Sequence, residues 1–274
     1  DNATLKKHIL EIEENGFTKL SNVFTADETQ MLKSKIEIVF SHEESKMNND
    51  IPFLNRGHKI VYNAQNKFFQ ALLMTIDTRE INAILKHFLN DDWYKPIPPD
   101  EPNYIMRSCI ARSGGDSAMP LHIDSFIPSS GRFTTLMQVA ISLEDQNKEN
   151  GCTLVVPGSH KSDNYATPDD LERSISLSSK AGDVIIWDSR LWHGAHSNSS
   201  LKTRWSLIST FSRWWIKQNY DMTRTLKPDF YNRLTDSQKS VMGYCSMPPL
   251  DENERIDMKS GYNYLKNDVK DYFS

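Results

Sequence analysis

The chain has 274 residues, of which 38% are hydrophobic and 25% are charged, and its formal net charge at pH 7 is -4. It contains no long run of lysine or arginine, which disfavours nucleic-acid binding, and no apolar run that approaches membrane-spanning length. We therefore expect a small molecule as the partner and one domain of residues 1–274 as the organisation, while the oligomeric state stays open.

Three cysteines, Cys109, Cys152 and Cys245, are odd in number and widely separated, and none stands in a CxxC spacing. Such usage is typical of a reducing compartment rather than of a disulfide scaffold, so we expect a cytoplasmic protein. Because the sequence begins at Asp1 and not at methionine, this expectation leaves open a leading segment that has been removed.

The first part of the chain, to about residue 98, is predicted to be a helical cover. In TADETQMLKSKIEIVF, Thr25 and Glu28 form a capping box, and the apolar residues that follow at helical spacing predict a helix to about Phe40. A shorter helix ending at Gly16 precedes it, with a strand in FTKLSNVF between them. Two further helices are predicted in FFQALLMTI and INAILKHFL, before the proline-rich KPIPPDEP.

From about residue 100 to 213 the pattern changes to short β-like runs. Six runs are separated by Gly, Pro, Asn and Asp turns: YIMRSCIA, TTLMQVAISL, CTLVVP, SISLS, DVIIWD and RWSLISTFS. This pattern predicts a mainly β fold, a sandwich or a barrel, with flanking helices. Residues 214–274 return to a polar and aromatic composition with helical patches such as LTDSQKSVMGY, and are predicted to form a C-terminal cover.

A histidine and an aspartate lie two residues apart in MPLHIDSF. On a strand, His122 and Asp124 would project from one face and could share an ion; the alternative is a core histidine beside an acidic neighbour. Two imidazoles and one carboxylate form the facial triad of non-heme Fe(II) oxygenases, so a third ligand is required. His193 is the best placed, because it follows the run DVIIWD at the expected start of a strand, whereas His196 cannot share its strand face.

Arg204 and Ser206 follow in KTRWSLI, on one face of the last predicted strand. A fork-shaped guanidinium binds a carboxylate through two hydrogen bonds, and a neighbouring hydroxyl can add a third. An ordinary surface-paired arginine is the alternative.

The ordered motifs HID, ENGCTLVVPGSH, WHGAHSNSS and TRWS resemble the phytanoyl-CoA dioxygenase family of Fe(II)- and 2-oxoglutarate-dependent oxygenases. ENGFTKLSNVFTADETQMLKSKI and WWIKQNYD resemble segments near the two ends of that family, so the resemblance covers most of the chain. It implies a double-stranded β-helix core, which is a jelly-roll or cupin-like fold. It further implies that His122, Asp124 and His193 bind iron and that Arg204 and Ser206 bind the distal carboxylate of 2-oxoglutarate.

The resemblance also implies that Gln138 faces the co-substrate, although Ala140 stands where the family often has a bulky aromatic residue. Relatives that halogenate have a small residue at the carboxylate position, so Asp124 favours hydroxylation. The implied cofactors are Fe(II), 2-oxoglutarate and O2, with succinate and CO2 as co-products. The alternatives are a cupin-like metal isomerase or hydrolase, which has no use for Arg204, and a non-catalytic small-molecule-binding protein, which has no use for the triad.

The substrate hypothesis rests on YIMRSCIAR. Strand alternation there predicts one shared face for four residues: Ile105, Arg107, Cys109 and Ala111. An arginine on such a face is costly to bury unless an anion meets it, and an internal salt bridge is the alternative to a bound ligand. We hypothesise that Arg107, with Phe126 and Ile127, lines the cavity beside the iron and favours a substrate with a carboxylate or phosphate-like group.

Overall fold

The computed structural model describes residues 2–44, 57–200 and 202–248, together with residues 253, 262 and 265. Within these residues the chain forms ten strands: β1 (Phe17–Leu20), β2 (Lys59–Tyr62), β3 (Ile105–Ser113), β4 (Met119–His122), β5 (Leu136–Ser142), β6 (Thr153–Val155), β7 (Ile175–Leu177), β8 (Val184–Asp188), β9 (His193–Ala195) and β10 (Trp205–Ser212). The α-helices described are α1 (Asn2–Asn15), α2 (Ala26–Glu43), α3 (Ala64–Lys67), α4 (Phe69–Ile76), α5 (Arg79–Leu89), α6 (Met222–Thr225), α7 (Pro228–Arg233) and α8 (Asp236–Val241).

Two antiparallel sheets form the core. The larger sheet has the strand order β1-β8-β5-β10-β3-β2, and the smaller has the order β4-β9-β6-β7. The inner faces pack on each other through a small apolar cluster that draws Ala140, Ile185 and Trp187 from the larger sheet and Val155 from the smaller. Every strand pairing is antiparallel in the described residues, and the predicted double-stranded β-helix is confirmed.

The outer face of the larger sheet carries the main apolar core. Alternate residues of β5, such as Val139 and Ile141, pack there with helix residues that include Leu32, Ile36 and Ile84. Their neighbours Gln138 and Ala140 point to the inner face, because successive side chains of a strand face opposite ways. Both faces of β5 are thus covered, and all seven of its residues are buried.

The N-terminal helices begin and end largely where the sequence predicts. Thr25 caps α2, its hydroxyl accepts a hydrogen bond from Glu28 N at 3.2 Å, and Thr25 N donates to Glu28 Oε2 at 2.8 Å. The helix runs to Glu43, beyond the predicted end, because no breaker follows Phe40. The predicted strand in FTKLSNVF is shorter than expected, since Asn22 adopts a positive φ of 56° and ends the extended run.

One strand was not predicted. β2 lies within the part of the chain that the sequence assigns to helices, and it pairs with β3 in the register Ile60 to Arg112. A run of four residues is too short for periodicity to identify, so the pairing with β3 determines it.

The C-terminal helices pack against the N-terminal ones. The rings of Phe69 and Phe230 lie 5.1 Å apart, and Gln238 Nε2 donates to Asp77 Oδ1 at 2.8 Å. The predicted helix in LTDSQKSVMGY is present as α8. All three cysteines are buried and free. In the described parts of the chain, no helix combines the length and the apolar composition that a membrane crossing needs.

Candidate active site

The two histidines are brought together by the pairing of β4 with β9. His122 and His193 are direct partners in that register, and their ring centroids lie 4.2 Å apart. The prediction that His193 begins a late strand is therefore confirmed. Sequence spacing alone could not show that this strand pairs with the one ending at His122, because four other strands, β5 to β8, lie between the two residues in the chain.

Asp124 does not lie on the strand of His122, and that prediction was wrong. β4 ends at His122, and the backbone N–H groups of Asp124 and Ser125 both donate to Ser189 O, at 2.8 Å and 3.1 Å. These bonds turn the chain away from the sheet. The turn still points the carboxylate at the histidines, with Oδ2 at 3.2 Å from His193 Nε2 and Oδ1 at 3.6 Å from His122 Nε2.

The three side chains form a group suited to one metal ion. One ligand atom from each of His122, Asp124 and His193 can be chosen so that all lie within 4.8 Å of one another. His122 Nδ1 hydrogen-bonds Pro120 O at 3.0 Å, and His193 Nδ1 hydrogen-bonds Leu191 O at 2.9 Å. A carbonyl only accepts, so each Nδ1 carries a hydrogen, and each ring presents an Nε2 lone pair to the site whenever Nε2 is deprotonated. Two lone pairs and a carboxylate therefore converge, and a divalent cation satisfies all three.

The ionisation states also fit metal binding. Burial lowers the pKa of His122, and the neighbouring His193 lowers it further. Burial raises the pKa of the Asp124 carboxyl, but the two histidines and a hydrogen bond with Gln138 outweigh it, so the pKa lies below its usual value. Burial lowers the pKa of His193, yet the Asp124 carboxylate reverses the effect and raises it. A cation between Asp124 and His193 would replace the proton that they otherwise share.

Gly194 lets the two ligand-bearing strands approach closely. A Cβ atom added there would lie 2.5 Å from Met119 O and 3.2 Å from the carbonyl of Pro120. Backbone atoms of β4 would have to move, and His122 would move with them.

We therefore expect Gly194→Ala to weaken Fe(II) binding by about tenfold or more without removing a ligand, as changes around metal ligands typically do. Isothermal titration with Fe(II) under anaerobic conditions measures the Fe(II) affinity of the variant and of wild type. Gly131→Ala is the matched control, because its Cβ would meet only Ser129 Oγ, at 3.3 Å. Equal affinity of Gly194→Ala and wild type would mean that the strand spacing does not set the ligand geometry.

A second polar group lies on the inner face, around Arg204 and Ser206. Arg204 Nη1 donates to Gln146 Oε1 at 3.2 Å, and Gln146 Nε2 donates to Ser206 Oγ at 2.6 Å. Gly114 and Gly151 make room for the guanidinium, because their Cβ atoms would lie 2.8 Å from Nη2 and 3.3 Å from Nε. The predicted pair is thus close together, with Gln146 between the two residues.

Among the described residues, Arg204 is a buried cation without a carboxylate partner. It is 7% exposed, its Nε has no hydrogen-bond partner, and no carboxylate of the described residues lies within ion-pair distance. Burial lowers the pKa of Arg204 to about 10, and the nearby Arg112 adds to that effect. A buried guanidinium in this state is expected to have a bound anion as its partner.

The sequence reasoning missed two residues of this site, Arg112 and Gln146. Arg112 is close enough to Asp124, His193 and Arg204 for its charge to shift their pKa values or its own. Arg112 could have been found from the sequence, because strand alternation places it on the same face of β3 as Ser108 and Ile110. Gln146 lies outside the strands, and no sequence pattern identifies it.

Gln138 is on the inner face of β5, next to the predicted metal ligands. Its Oε1 accepts a hydrogen bond from Thr210 Oγ1 at 2.7 Å, and its side chain is close enough to the Asp124 carboxyl to lower the pKa of that group. This position brings it to the side of the carboxylate ligand. Contact with the co-substrate stays a prediction.

The predicted shared face of β3 was wrong at Arg107. Opposite β10, Ser108 pairs with Thr210 and Met106 with Phe211, so Arg107 is the extra residue of a β-bulge. Cys109 and Ala111 lie in the main core under the helices. The Arg107 guanidinium lies instead 5.5 Å from the ring centre of Phe126, just beyond Asp124. A bulge reverses the alternation, and a local pattern does not reveal it.

A double-stranded β-helix with two histidines and a carboxylate grouped on its inner side is an arrangement typical of the non-heme metal oxygenases. Comparison with known sequences agrees with this class, because the family described as phytanoyl-CoA dioxygenase (PhyH) matches residues 12–206. The chain belongs to that family.

Individual relatives are more distant. Phytanoyl-CoA dioxygenase 1 of Oryza sativa subsp. japonica is 31% identical over 239 residues, which cover 78% of this chain and 83% of the rice protein. The dioxygenase olcK of Penicillium canescens is 36% identical over 105 residues, covering 35% of this chain and 34% of its own. The chain spans about a third of the length of several curated relatives that it matches.

Among solved structures, the epimerase SnoN in complex with Fe3+, alpha ketoglutarate and nogalamycin RO is similar in fold. The TM-score is 0.60 at 18% sequence identity, with 78% of this chain and 85% of SnoN covered. At this identity the likeness supports the fold.

Proposed function

We propose that the protein is an Fe(II)- and 2-oxoglutarate-dependent dioxygenase whose single domain of residues 1–274 hydroxylates a small organic substrate. In the proposed reaction, O2 supplies one oxygen atom to the substrate and one to succinate, and 2-oxoglutarate loses CO2. The observation that carries this proposal is the convergence of three metal-ligand atoms near a buried arginine that has no carboxylate partner within the described part of the chain. The three ligand atoms suit a divalent cation, and the buried arginine suits a carboxylate.

Three side chains would hold the metal: His122, Asp124 and His193. Bound iron would supply the redox chemistry with dioxygen at the positions that these residues leave open. The carbonyls of Pro120 and Leu191 fix both imidazole rings in the orientation that ligation requires.

Arg204 and Ser206 would hold the distal carboxylate of 2-oxoglutarate, in place of the link that Gln146 now provides between them. Both side chains are buried, so this carboxylate would be bound away from water, where a charge-assisted hydrogen bond is strongest. Gln138 would steady Asp124, and the Arg112 guanidinium would add positive charge beside the co-substrate.

The sharpest test of the proposed class is anaerobic addition of Fe(II) and then 2-oxoglutarate. We expect a weak visible charge-transfer band, because a 2-oxo acid that chelates Fe(II) absorbs there and the free components do not. Succinate is the matched control, since it keeps both carboxylates and lacks the oxo group. Fe(II) binding without a band would favour a metal isomerase or hydrolase, and no Fe(II) binding would favour a non-catalytic protein.

A further inference from the structure

Arg107 is an unusual arginine for a strand beside a metal site. Its Nε donates to Lys217 O at 3.0 Å, and among the described residues it has no other side-chain hydrogen bond and no carboxylate within ion-pair distance. The internal salt bridge considered as the alternative is therefore not found there. Burial lowers the pKa of Arg107, and the negative charge of Asp124 partly offsets this effect. The Asp124 carboxylate lies within ion-pair distance of His122 and His193 but not of Arg107.

The surroundings of Arg107 are apolar and exposed. Its guanidinium packs on the ring of Phe126, which is 69% exposed, and Ile127 beside it is 72% exposed. Tyr165, 58% exposed, donates its hydroxyl to Phe126 O at 2.8 Å, so it belongs to the same surface. Phe126 and Ile127 follow Asp124 closely in the chain, and Tyr165 joins them through its bond to Phe126 O; we call these three side chains the rim. Large apolar side chains clustered around one cation suit an amphipathic ligand.

Two local features hold this arrangement in place although each is unfavourable by itself. The bulge in β3 directs Arg107 toward Phe126, and Phe126 has a positive φ of 67°, which is uncommon for a bulky residue. Strained backbone next to a candidate site is a recognised sign of a functional constraint. Together, the bulge and the positive φ of Phe126 place a cation and an aromatic ring next to each other beside Asp124.

We propose that Arg107 and the rim of Phe126, Ile127 and Tyr165 form the substrate-binding subsite, and that the substrate pairs an aromatic or other apolar body with a carboxylate or phosphate-like group. This inference rests on the proposed function. In it, Arg204 takes the distal carboxylate of 2-oxoglutarate and the metal takes the other end, so the anion at Arg107 comes from the substrate. The apolar body lies against the exposed ring of Phe126, with the anionic group directed inward at the guanidinium.

The test uses the full chain with Zn(II) in place of Fe(II) and saturating 2-oxoglutarate, so that Arg204 is occupied and no turnover occurs. Ligand-observed NMR titrations compare phenylacetate with phenylacetamide, and benzyl phosphate with benzyl alcohol. We expect an anionic probe to bind about tenfold or more tightly than its neutral partner, the low end for a charge-assisted hydrogen bond. The probe pair with the larger ratio of anionic to neutral affinity shows whether the subsite prefers a carboxylate or a phosphate.

Arg107→Met should remove this preference and leave the neutral probes unaffected. Arg107→Lys loses the bond to Lys217 O but keeps the charge, so it should retain part of the preference. Arg233→Met is the matched control, because Arg233 also packs on a phenylalanine ring, that of Phe69, among the outer helices. Phe126→Ala should weaken the binding of the anionic and the neutral probe of each pair to the same extent.

Equal affinities of anionic and neutral probes for wild type, binding by neither, or an unchanged preference in Arg107→Met would each overturn the inference. The charge-transfer band of the wild-type protein with Fe(II) and 2-oxoglutarate distinguishes a failure of the proposed subsite from a failure of the proposed function. If the band is present and the preference is absent, the subsite is wrong and the proposed function stands. If the band is absent, the proposed function itself fails.

Discussion

Asp124→Ala is expected to abolish 2-oxoglutarate turnover and to weaken Fe(II) binding by more than about a hundredfold, the upper range for loss of a group that merely supports a ligand. Asp124 supplies the one negative charge among the three proposed ligands, and its two oxygens face both histidines at 3.2 Å and 3.6 Å. Without it, two neutral imidazoles remain, and the facial geometry is lost. His122→Ala and His193→Ala should have the same result.

Fe(II) titration and succinate formation measure this effect, with circular dichroism to check folding. His196→Ala is the control, because His196 lies three residues from His193 and its Nε2 is bonded to Ser176 Oγ at 2.8 Å instead of facing the site. That variant should bind iron as wild type does. Near wild-type turnover in any one of the three ligand variants would contradict the assignment of the triad.

Arg204→Met is expected to raise the 2-oxoglutarate requirement by roughly a hundredfold or more and to leave Fe(II) binding nearly intact. Two hydrogen bonds to a charged carboxylate would be lost, each contributing about 1.5–3 kcal/mol, and about 1.4 kcal/mol corresponds to tenfold in affinity. Arg204→Lys should recover only part of the affinity, because an ammonium lacks the planar fork. Ser206→Ala should cost roughly tenfold at most, since a single hydroxyl is lost.

The thermal stability of the same variant separates a ligand-binding arginine from a structural one. Without 2-oxoglutarate, Arg204→Met should unfold at the same temperature as wild type or higher, because a buried cation that lacks an anion is removed. With 2-oxoglutarate, the wild-type unfolding temperature should rise and that of the variant should not. A large loss of stability in the ligand-free variant, or unchanged 2-oxoglutarate affinity, would indicate that Arg204 has a structural role instead.

The sequence by itself determined most of the secondary structure and the identity of the candidate ligands. A capping box and helical spacing predict α2, and the helical pattern of LTDSQKSVMGY predicts α8, because a helix is stabilised by residues three and four apart, which are close in the chain. The β runs were recognisable for a similar reason, since alternation is a local property. The motifs around His122 and His193 indicated the family, which the match over residues 12–206 confirms.

Only the tertiary structure decided how these pieces meet. The pairing of His122 with His193, the turn that takes Asp124 off its strand, and the strand β2 all depend on partners distant in sequence. The bulge at Arg107 arises from the register of β10 on β3, so its side chain faces Phe126 and does not share the face of Cys109 and Ala111 that alternation predicts for it. Gln146 joins Arg204 to Ser206 from a loop that carries no periodic signal. Local patterns record which face of an element is apolar, whereas register, bulges and loop contacts are fixed by hydrogen bonds between segments that meet only in the folded chain.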